Sequence, residues 1–393
     1  MKKFLNRKAT IIIYLFITLV MFAFINTSDA TSFAEPIVFY INRPIILIHL
    51  LFSLIVLAIF LISFGNTPKI DFISIMLLLK MIIDLISFLI NNNTSFEYFF
   101  TWYACSIISF ISYFLVSQFV YDNGIISCIV ICFSVIIALQ VIYTFIFSDC
   151  SFTDINYKHY MVIPYGGTNI ISSILVPTFY FGFKIKNKIL NMIYKILLLI
   201  AIVLTKSRGG IILITISLFA YYIFENDKKD LITKIIVIGI FTIILINIFN
   251  IPSIKDFFKG YSDDYSSANE LSSGRLKLFQ IYMNDFFEKP IIGHSLGVSP
   301  RLVKVYGAHN LFIDLLFKCG ILGFITYFMI LIYIIINIKF FKKTSKVELW
   351  VVFVFFINTM FEVCYFSYEC DAMFWLFIGM LVSNNKVKIM KNN

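Results

Sequence analysis

The sequence predicts an all-α, polytopic membrane protein with about twelve transmembrane helices and one large extracytoplasmic loop. The first reason is composition, since 60% of the 393 residues are hydrophobic, 14% are charged, and the mean hydropathy is +0.92. A soluble chain of this length needs far more polar surface to cover its core. The second reason is that apolar segments of spanning length recur along the chain without strand-like alternation. These observations exclude a soluble enzyme, a disordered protein and a secreted disulfide scaffold.

The predicted spans follow the apolar segments in chain order. A helix satisfies every backbone polar group internally, which the hydrocarbon core of a bilayer requires. The segments are 10–26, 44–64, 70–90, 98–120, 125–147, 167–183, 189–205, 210–224, 231–249, 309–338, 348–367 and 371–384.

Basic residues predict the orientation. The apolar run over 10–26 follows a basic start but exceeds a signal-peptide core, and further spans follow it, so we expect an uncleaved first helix. With the N-terminus inside, Lys and Arg of the short connections fall mostly on the inner side. The short outer connections hold Arg43, Lys158, Lys206 and Arg208. Both termini are therefore expected in the cytoplasm, and most of the net charge of +10 reports topology rather than nucleic-acid binding.

We predict a single integral membrane domain over residues 1–393. One connection between its spans is much longer than the others. Residues 250–308 form a large polar loop on the predicted outer side. Inside it, the spacing over 275–288 predicts a helix that ends at Lys289-Pro290. The residues expected on its apolar side are Leu276, Phe279, Tyr282 and Phe286. Long structured loops are where membrane enzymes often keep their chemistry. Cys150 and Cys370 fall in predicted outer loops, and nothing in the sequence decides whether they pair.

Three short segments carry residues suited to chemistry on the outer side. Arg208, between two spans, is costly there unless it faces water or an anion, and the two glycines after it, Gly209 and Gly210, let a ligand approach the backbone closely. Arg275 opens the loop helix against the helix dipole, which a bound phosphate would explain. His309 opens a span where it can exchange protons. Each has a simpler interpretation: a snorkelling arginine, a solvated arginine, and an interfacial histidine bonded to backbone.

Two oppositely charged pairs lie inside predicted spans. They are Lys80 with Asp84 and Asp314 with Lys318, each one helical turn apart. This spacing is typical of neutralised intramembrane partners, with a proton or ion path as the alternative. Gly320 and Gly323 are expected to serve close helix packing. The sequence contains no zinc-protease, P-loop or nucleophile-elbow motif, and no metal site is predicted.

The motifs occur in a fixed order between about 200 and 325. They are Ser207-Arg208-Gly209 between two spans, Ser273-Gly274-Arg275 in the large loop, Pro290-Ile291-Ile292-Gly293, His309-Asn310, and Gly320-Ile321-Leu322-Gly323. This arrangement resembles the O-antigen ligase/polymerase family, which includes Wzy-type polysaccharide polymerases and WaaL-type ligases. The resemblance implies a GT-C-like membrane glycosyltransferase fold. One departure is that the family often has an aromatic residue such as Trp shortly after the loop arginine, where Phe279 is nearest here.

The resemblance also implies roles for individual residues. Arg208 and Arg275 match the positions that bind the pyrophosphate of an undecaprenyl-linked glycan donor, and His309 matches the base that activates the acceptor. The reaction would invert the anomeric centre and need neither metal nor cofactor. Residues expected to line the same site are Ser207, Gly209, Asn310, Arg301, Lys304 and Tyr306.

Several functions remain open at the level of sequence. A polymerase would extend a lipid-linked repeat into O-antigen or capsular polysaccharide, and a ligase would transfer the glycan to lipid A–core or a protein. We favour the polymerase. The resemblance implies a bacterial cytoplasmic membrane location, with the active site outside and with a flippase and a chain-length regulator as further partners. A transporter or flippase of lipid-linked sugars, and a scaffold of a polysaccharide assembly complex, are the alternatives from other classes.

Overall fold

The computed structural model describes most of the chain. The described residues are 7–24, 43–62, 70–91, 95–118, 124–147, 151–152, 157, 161, 163, 167–225, 231–249, 275–298, 308–360 and 368–392. Within them, every regular element is a helix. The loop residues Arg301, Lys304, Tyr306, Ser273 and Gly274 lie outside this set, as does Cys150, so the predictions about them stay predictions.

Each predicted apolar segment contains a helix. The bounds of the helices are α1 Arg7–Phe24, α2 Arg43–Ile62, α3 Phe72–Asn91, α4 Phe96–Ser117, α5 Gly124–Phe147, α6 Thr168–Thr178, a 3-10 helix Phe179–Lys184, α7 Lys188–Leu204, α8 Arg208–Glu225, α9 Leu231–Phe249, α10 Arg275–Phe286, α11 Leu311–Ile336, α12 Ile338–Thr344, α13 Lys346–Thr359 and α14 Tyr368–Asn392. Helix α10, and α12 after its first residue, lie outside the predicted segments. Among the described residues, the helices long and apolar enough to cross a membrane are Pro44–Ile62, Phe72–Asn91, Phe96–Ser117, Gly124–Phe147 and Leu311–Ile336. The total of about twelve spans stays a prediction.

The apolar segment 167–183 is not one regular α-helix. It forms α6 and then continues as a 3-10 helix from Phe179. Pro177 lies in the last turn of α6, where it lacks the N–H that an α-helix interior needs. Tightening to 3-10 geometry after such a residue is a common way to end an α-helix.

Much of the surface is apolar, as expected when lipid is the solvent. On α7 one stripe is exposed, and it consists of Ile189, Ile193, Ile196 and Ile200. The opposite side is buried and consists of Tyr194, Leu198, Ala201 and Ile202. An apolar stripe of this kind on an outer helix is explained by contact with lipid tails. The protein is therefore a helical membrane protein.

Helix α14 forms the centre of the bundle. Every residue from Cys370 to Ser383 is buried, so this part of the helix has no exposed side. A helix that is apolar all round belongs to the interior. It packs along α4, and a Cβ at Gly379 would lie 2.9 Å from the carbonyl oxygen of Tyr113.

Helices α6 and α8 run side by side in the same direction. Near the start of both, a Cβ at Gly210 would lie 2.7 Å from the Cβ of Ser172. Farther along, the rings of Tyr180 and Tyr221 are 5.7 Å apart. The first residues of α6 and α8 therefore lie at one end of the bundle, which we call the Arg208 end.

Helix α13 runs the opposite way and finishes at the Arg208 end. Its first turns pair Glu348 with Lys184 at the end of the 3-10 helix, and Trp350 stacks on Tyr180 at 6.2 Å. Those contacts lie at the end of the bundle opposite Ser172. The C-cap of α13, Met360, therefore lies at the Arg208 end. Any segment that is hydrogen-bonded to Met360 therefore also lies at the Arg208 end.

Candidate functional site

The turn before α8 is built around Ser207. Its Oγ accepts the backbone N–H of Gly210 at 3.3 Å, which caps the helix that Arg208 opens. The same oxygen is within 3.0 Å of Ser172 Oγ and donates to Asn169 Oδ1 at 3.1 Å, both on α6. Ser207 is buried, so in the structure it holds the turn in place, whereas Arg208 is only partly buried.

The two glycines after Arg208 differ in their surroundings. At Gly210 the predicted approach of a ligand is wrong, because α6 passes close to this glycine at Ser172 and fills the space. At Gly209, a Cβ would meet no atom within 4 Å, and the residue is exposed. Open space next to Arg208 is compatible with the predicted close approach of a ligand to this backbone. Lys206, on the other side of the turn, has a left-handed backbone with φ of 51°.

Asn310 fixes the backbone directly after His309. The Asn310 side-chain oxygen accepts the N–H groups of Phe312 (3.0 Å) and Ile313 (3.2 Å), so Asn310 is the N-cap of α11. Its amide nitrogen donates to the carbonyl of Met360 at 3.1 Å. This bond brings the start of α11 to the Arg208 end of the bundle. His309 is therefore just outside the helix, with φ of 54°, rather than its first residue.

The loop helix α10 packs against the first turns of α11. Tyr282 meets Phe317 edge-to-face at 4.8 Å, and both belong to a small cluster with Ala308, the neighbour of His309. Burial raises the pKa of the Tyr282 phenol well above its ordinary value, so this side chain is neutral. Arg275, two turns before Tyr282, is thus carried by a helix fixed beside the His309 segment.

The apolar side of α10 differs from the prediction at one position. Tyr282 and Phe286 are buried and Phe279 packs against the cluster, as expected. Leu276 is 49% exposed, and Leu278 packs in its place. Spacing alone identified the helix but not which neighbour faces the protein.

Helix α11 is broken at Gly320, which overturns the expectation that this glycine serves packing between helices. Gly320 has φ of 66° and ψ of −170°, a conformation that is essentially restricted to glycine. A Cβ there would lie 2.5 Å from the backbone nitrogen of Gly293, in the large loop. Likewise, a Cβ at Gly293, whose φ is 69°, would lie 2.5 Å from the Gly320 nitrogen. The loop backbone therefore enters the break directly.

The inserted loop replaces the helical hydrogen bonds that the break removes. His294 and Ser295 donate their N–H groups to the carbonyls of Phe317 (2.8 Å) and Lys318 (3.0 Å). In return, Ile321 donates to the carbonyl of Pro290 at 2.8 Å. Irregular backbone at membrane depth is tolerated when protein groups satisfy it in this way.

His294 closes this junction from the loop side. Its ring stacks on Phe317 at 4.7 Å, and its Nε2 is 2.7 Å from the carbonyl oxygen of Asp285 at the end of α10. It is 5% exposed. The sequence reasoning missed this junction, although the two motifs containing Gly293 and Gly320 were its signal.

The charged pairs predicted within the spans are confirmed. Lys80 Nζ is 2.7 Å from Asp84 Oδ2, and Lys318 Nζ is 3.8 Å from Asp314 Oδ1. All are buried. Within the described residues, no group of three or more His, Cys, Asp or Glu side chains is arranged to hold a metal ion.

Comparison with known families supports the resemblance. The O-antigen ligase family model matches residues 193–328. This segment, about a third of the chain, runs from α7 into α11 and contains Arg208, Arg275 and His309. The resemblance to the O-antigen ligase/polymerase family, predicted from the motifs between about 200 and 325, is confirmed there. No curated protein matches the chain.

Proposed function

We propose that this chain is a membrane glycosyltransferase that polymerises oligosaccharide repeats carried on undecaprenyl pyrophosphate, at the outer face of the cytoplasmic membrane. The observation that carries the proposal is the O-antigen ligase match, because the matched segment contains all three residues suited to the chemistry. Two structural facts support it. The starts of α8 and α11 lie at the same end of the bundle, and the helix that begins with Arg275 packs beside Ala308.

The proposed chemistry is a single displacement. The acceptor sugar hydroxyl attacks the anomeric carbon of the donor, the carbon–oxygen bond to pyrophosphate breaks, and that electron pair leaves on the pyrophosphate. Arg208 and Arg275 stabilise the developing negative charge through bidentate hydrogen bonds. His309 accepts the hydroxyl proton as the new glycosidic bond forms. No nucleotide is consumed because the leaving group is already activated.

The first test compares two variants of the loop helix. We expect Arg275→Ala to lower the rate of chain extension about a hundredfold, which corresponds to roughly 3 kcal/mol of transition-state stabilisation. Lys277→Ala removes an exposed cation from the same helix and is the matched control, with an expected rate near that of the wild type. The assay uses membrane vesicles, a lipid-linked repeat as substrate and gel separation of the labelled products.

His309→Ala and Arg208→Lys complete the set. His309→Ala should remain in the membrane and form no long chains, because no base takes the acceptor proton. Arg208→Lys keeps the charge but loses bidentate geometry, so an intermediate loss is expected. If Arg275→Ala and His309→Ala both make full-length chains, the proposed enzyme activity is wrong.

A ligase is the second candidate, and the match to the O-antigen ligase family favours it. Its acceptor would be lipid A–core or a protein rather than another lipid-linked repeat. A deletion strain separates the two functions. Loss of a polymerase leaves single repeats on lipid or acceptor, whereas loss of a ligase leaves long chains on undecaprenyl pyrophosphate.

A flippase of lipid-linked sugars is the third candidate, and the buried charges of α3 and α11 are the observation in its favour. Loss of a flippase would leave single repeats on the inner leaflet, and loss of a polymerase would leave them on the outer leaflet. An impermeant glycan-oxidising label applied to intact spheroplasts distinguishes these outcomes.

A further inference from the structure

One buried carboxylate lies next to the proposed base and has no part in the reaction described above. Asp314 is in the first turn of α11, and its side chain is 2% exposed. Its Oδ1 accepts the backbone N–H of Ala308 at 2.9 Å. Ala308 is fully buried and directly precedes His309.

The backbone conformation at His309 makes this hydrogen bond informative. A non-glycine residue in the left-handed region, here with φ of 54°, carries a steric cost and persists only when its surroundings hold it. The residue after His309 is Asn310, and its side chain fixes it through the helix cap and through the bond to Met360. The residue before His309 is Ala308, and within the described contacts Asp314 is the side chain that fixes its backbone. His309 is therefore held between two side-chain anchors.

Lys318 provides the compensating charge. It is 3% exposed and lies 3.8 Å from Asp314, with its ammonium 5.5 Å from the centre of the Trp102 ring. An unpaired carboxylate at this depth would be expensive. The carbonyl of Lys318 also receives the loop N–H of Ser295, so the same residue joins the pair to the break in α11.

The geometry points to Asp314 as the positioning residue for His309, with Lys318 as its counter-ion. This inference rests on the proposed function, since it assigns a role relative to the proposed base. The carboxylate orients the turn, so its loss should lower kcat and leave the KM for the lipid-linked donor nearly unchanged.

Two charge-balanced double variants isolate the hydrogen bond. Asp314→Asn/Lys318→Gln keeps an acceptor oxygen for Ala308, and Asp314→Leu/Lys318→Gln has a side chain of similar shape without one. We expect the first to keep kcat within about threefold of wild type and the second to lose about thirtyfold, with the donor KM within about twofold in both. Rates are normalised to the monodisperse protein recovered in detergent.

The pair on α3 provides the matched control. Asp84→Asn/Lys80→Gln and Asp84→Leu/Lys80→Gln alter a buried pair of the same spacing and charge, and we expect them to have equal kcat. Equal kcat for the two Asp314 double variants would overturn the positioning role. So would a split between the Asp84 variants as large as that at Asp314. If the leucine variant at Asp314 is not recovered, Asp314→Asn/Lys318→Gln decides, and a thirtyfold loss of its kcat also overturns the role.

His309→Ala in the same assay separates this inference from the proposed function. If that variant retains activity, His309 is not the base, and both proposals fall. If it is inactive while the two Asp314 double variants are equally active, the proposed function stands and only the positioning role fails.

Discussion

At the scale of single residues, Gly293 and Gly320 show how two distant motifs depend on each other. Each has a positive φ, and each would direct a Cβ into the backbone of the other segment. Because backbone rather than a flexible side chain is in the way, relaxation cannot absorb the added atom. The two glycine-containing motifs are thus two halves of one contact.

Substitution of Gly320 by alanine tests this contact. We expect Gly320→Ala to destabilise the protein by about 3 kcal/mol or more, through backbone strain and the clash with the inserted loop. Gly239→Ala is the control, because a Cβ at Gly239 meets no atom within 4 Å and alanine favours a helix. Thermal unfolding in detergent micelles measures both. Equal midpoints for the two variants would contradict the observed contact.

At the scale of elements, the loop helix α10 is held by a few aromatic contacts. Tyr282 is fully buried and meets Phe317, whereas Leu276, one and a half turns earlier, is exposed. The position of Arg275 thus depends on contacts of its helix with Ala308 and Phe317, which lie far from it in the chain. The helix dipole disfavours an arginine at this end, so packing must hold it there.

We expect Tyr282→Ala to release α10 from α11. Removal of a buried aromatic side chain costs about 3–5 kcal/mol, which is enough to open a surface helix locally. Trypsin cleavage after Lys277, followed by mass spectrometry, should then become rapid in Tyr282→Ala. Leu276→Ala removes a half-exposed side chain of the same helix and should be cleaved like the wild type. Slow cleavage of both variants would show that other contacts hold α10.

At the scale of the whole molecule, the direction of each helix ties the ends of the bundle to the two sides of the membrane. Helices α6 and α8 begin at the Arg208 end, and α13 finishes there. Basic residues lie at the opposite ends of these helices. Lys186 follows the 3-10 helix that continues α6, Lys228 follows α8, and Lys343 precedes α13. The positive-inside rule then predicts that the Arg208 end faces outward.

Topology reporters test this prediction. Alkaline phosphatase is active only outside the cytoplasm, so a fusion after Ser262 in the large loop should be active. Fusions after Lys186, Lys228 and Ser345 should be inactive, because those connections carry the basic residues retained inside. An active enzyme fused after Ser345 would reverse the predicted orientation of α11 and α13. It would also place His309 on the cytoplasmic side.

The sequence by itself determined the helical class, the positions of the helices and the order of the motifs. A segment that crosses lipid has to be a long apolar helix, and a local run of apolar residues in the sequence is enough to identify it. The spacing of Lys80 with Asp84 likewise predicted a pair that the structure contains. Each of these features depends on neighbours within one or two turns, which is why sequence reasoning could reach it.

Only the tertiary structure decided which segments meet. The insertion of Gly293 into the break at Gly320, the bond from Asn310 to Met360, and the choice of Leu278 over Leu276 all depend on partners distant in the chain. The hydrogen bond from the Ala308 N–H to Asp314 spans only six residues, yet it requires a left-handed residue between them that no sequence pattern indicates. Packing selects among the conformations that local preference allows, because burial and hydrogen bonding between segments outweigh the small local differences.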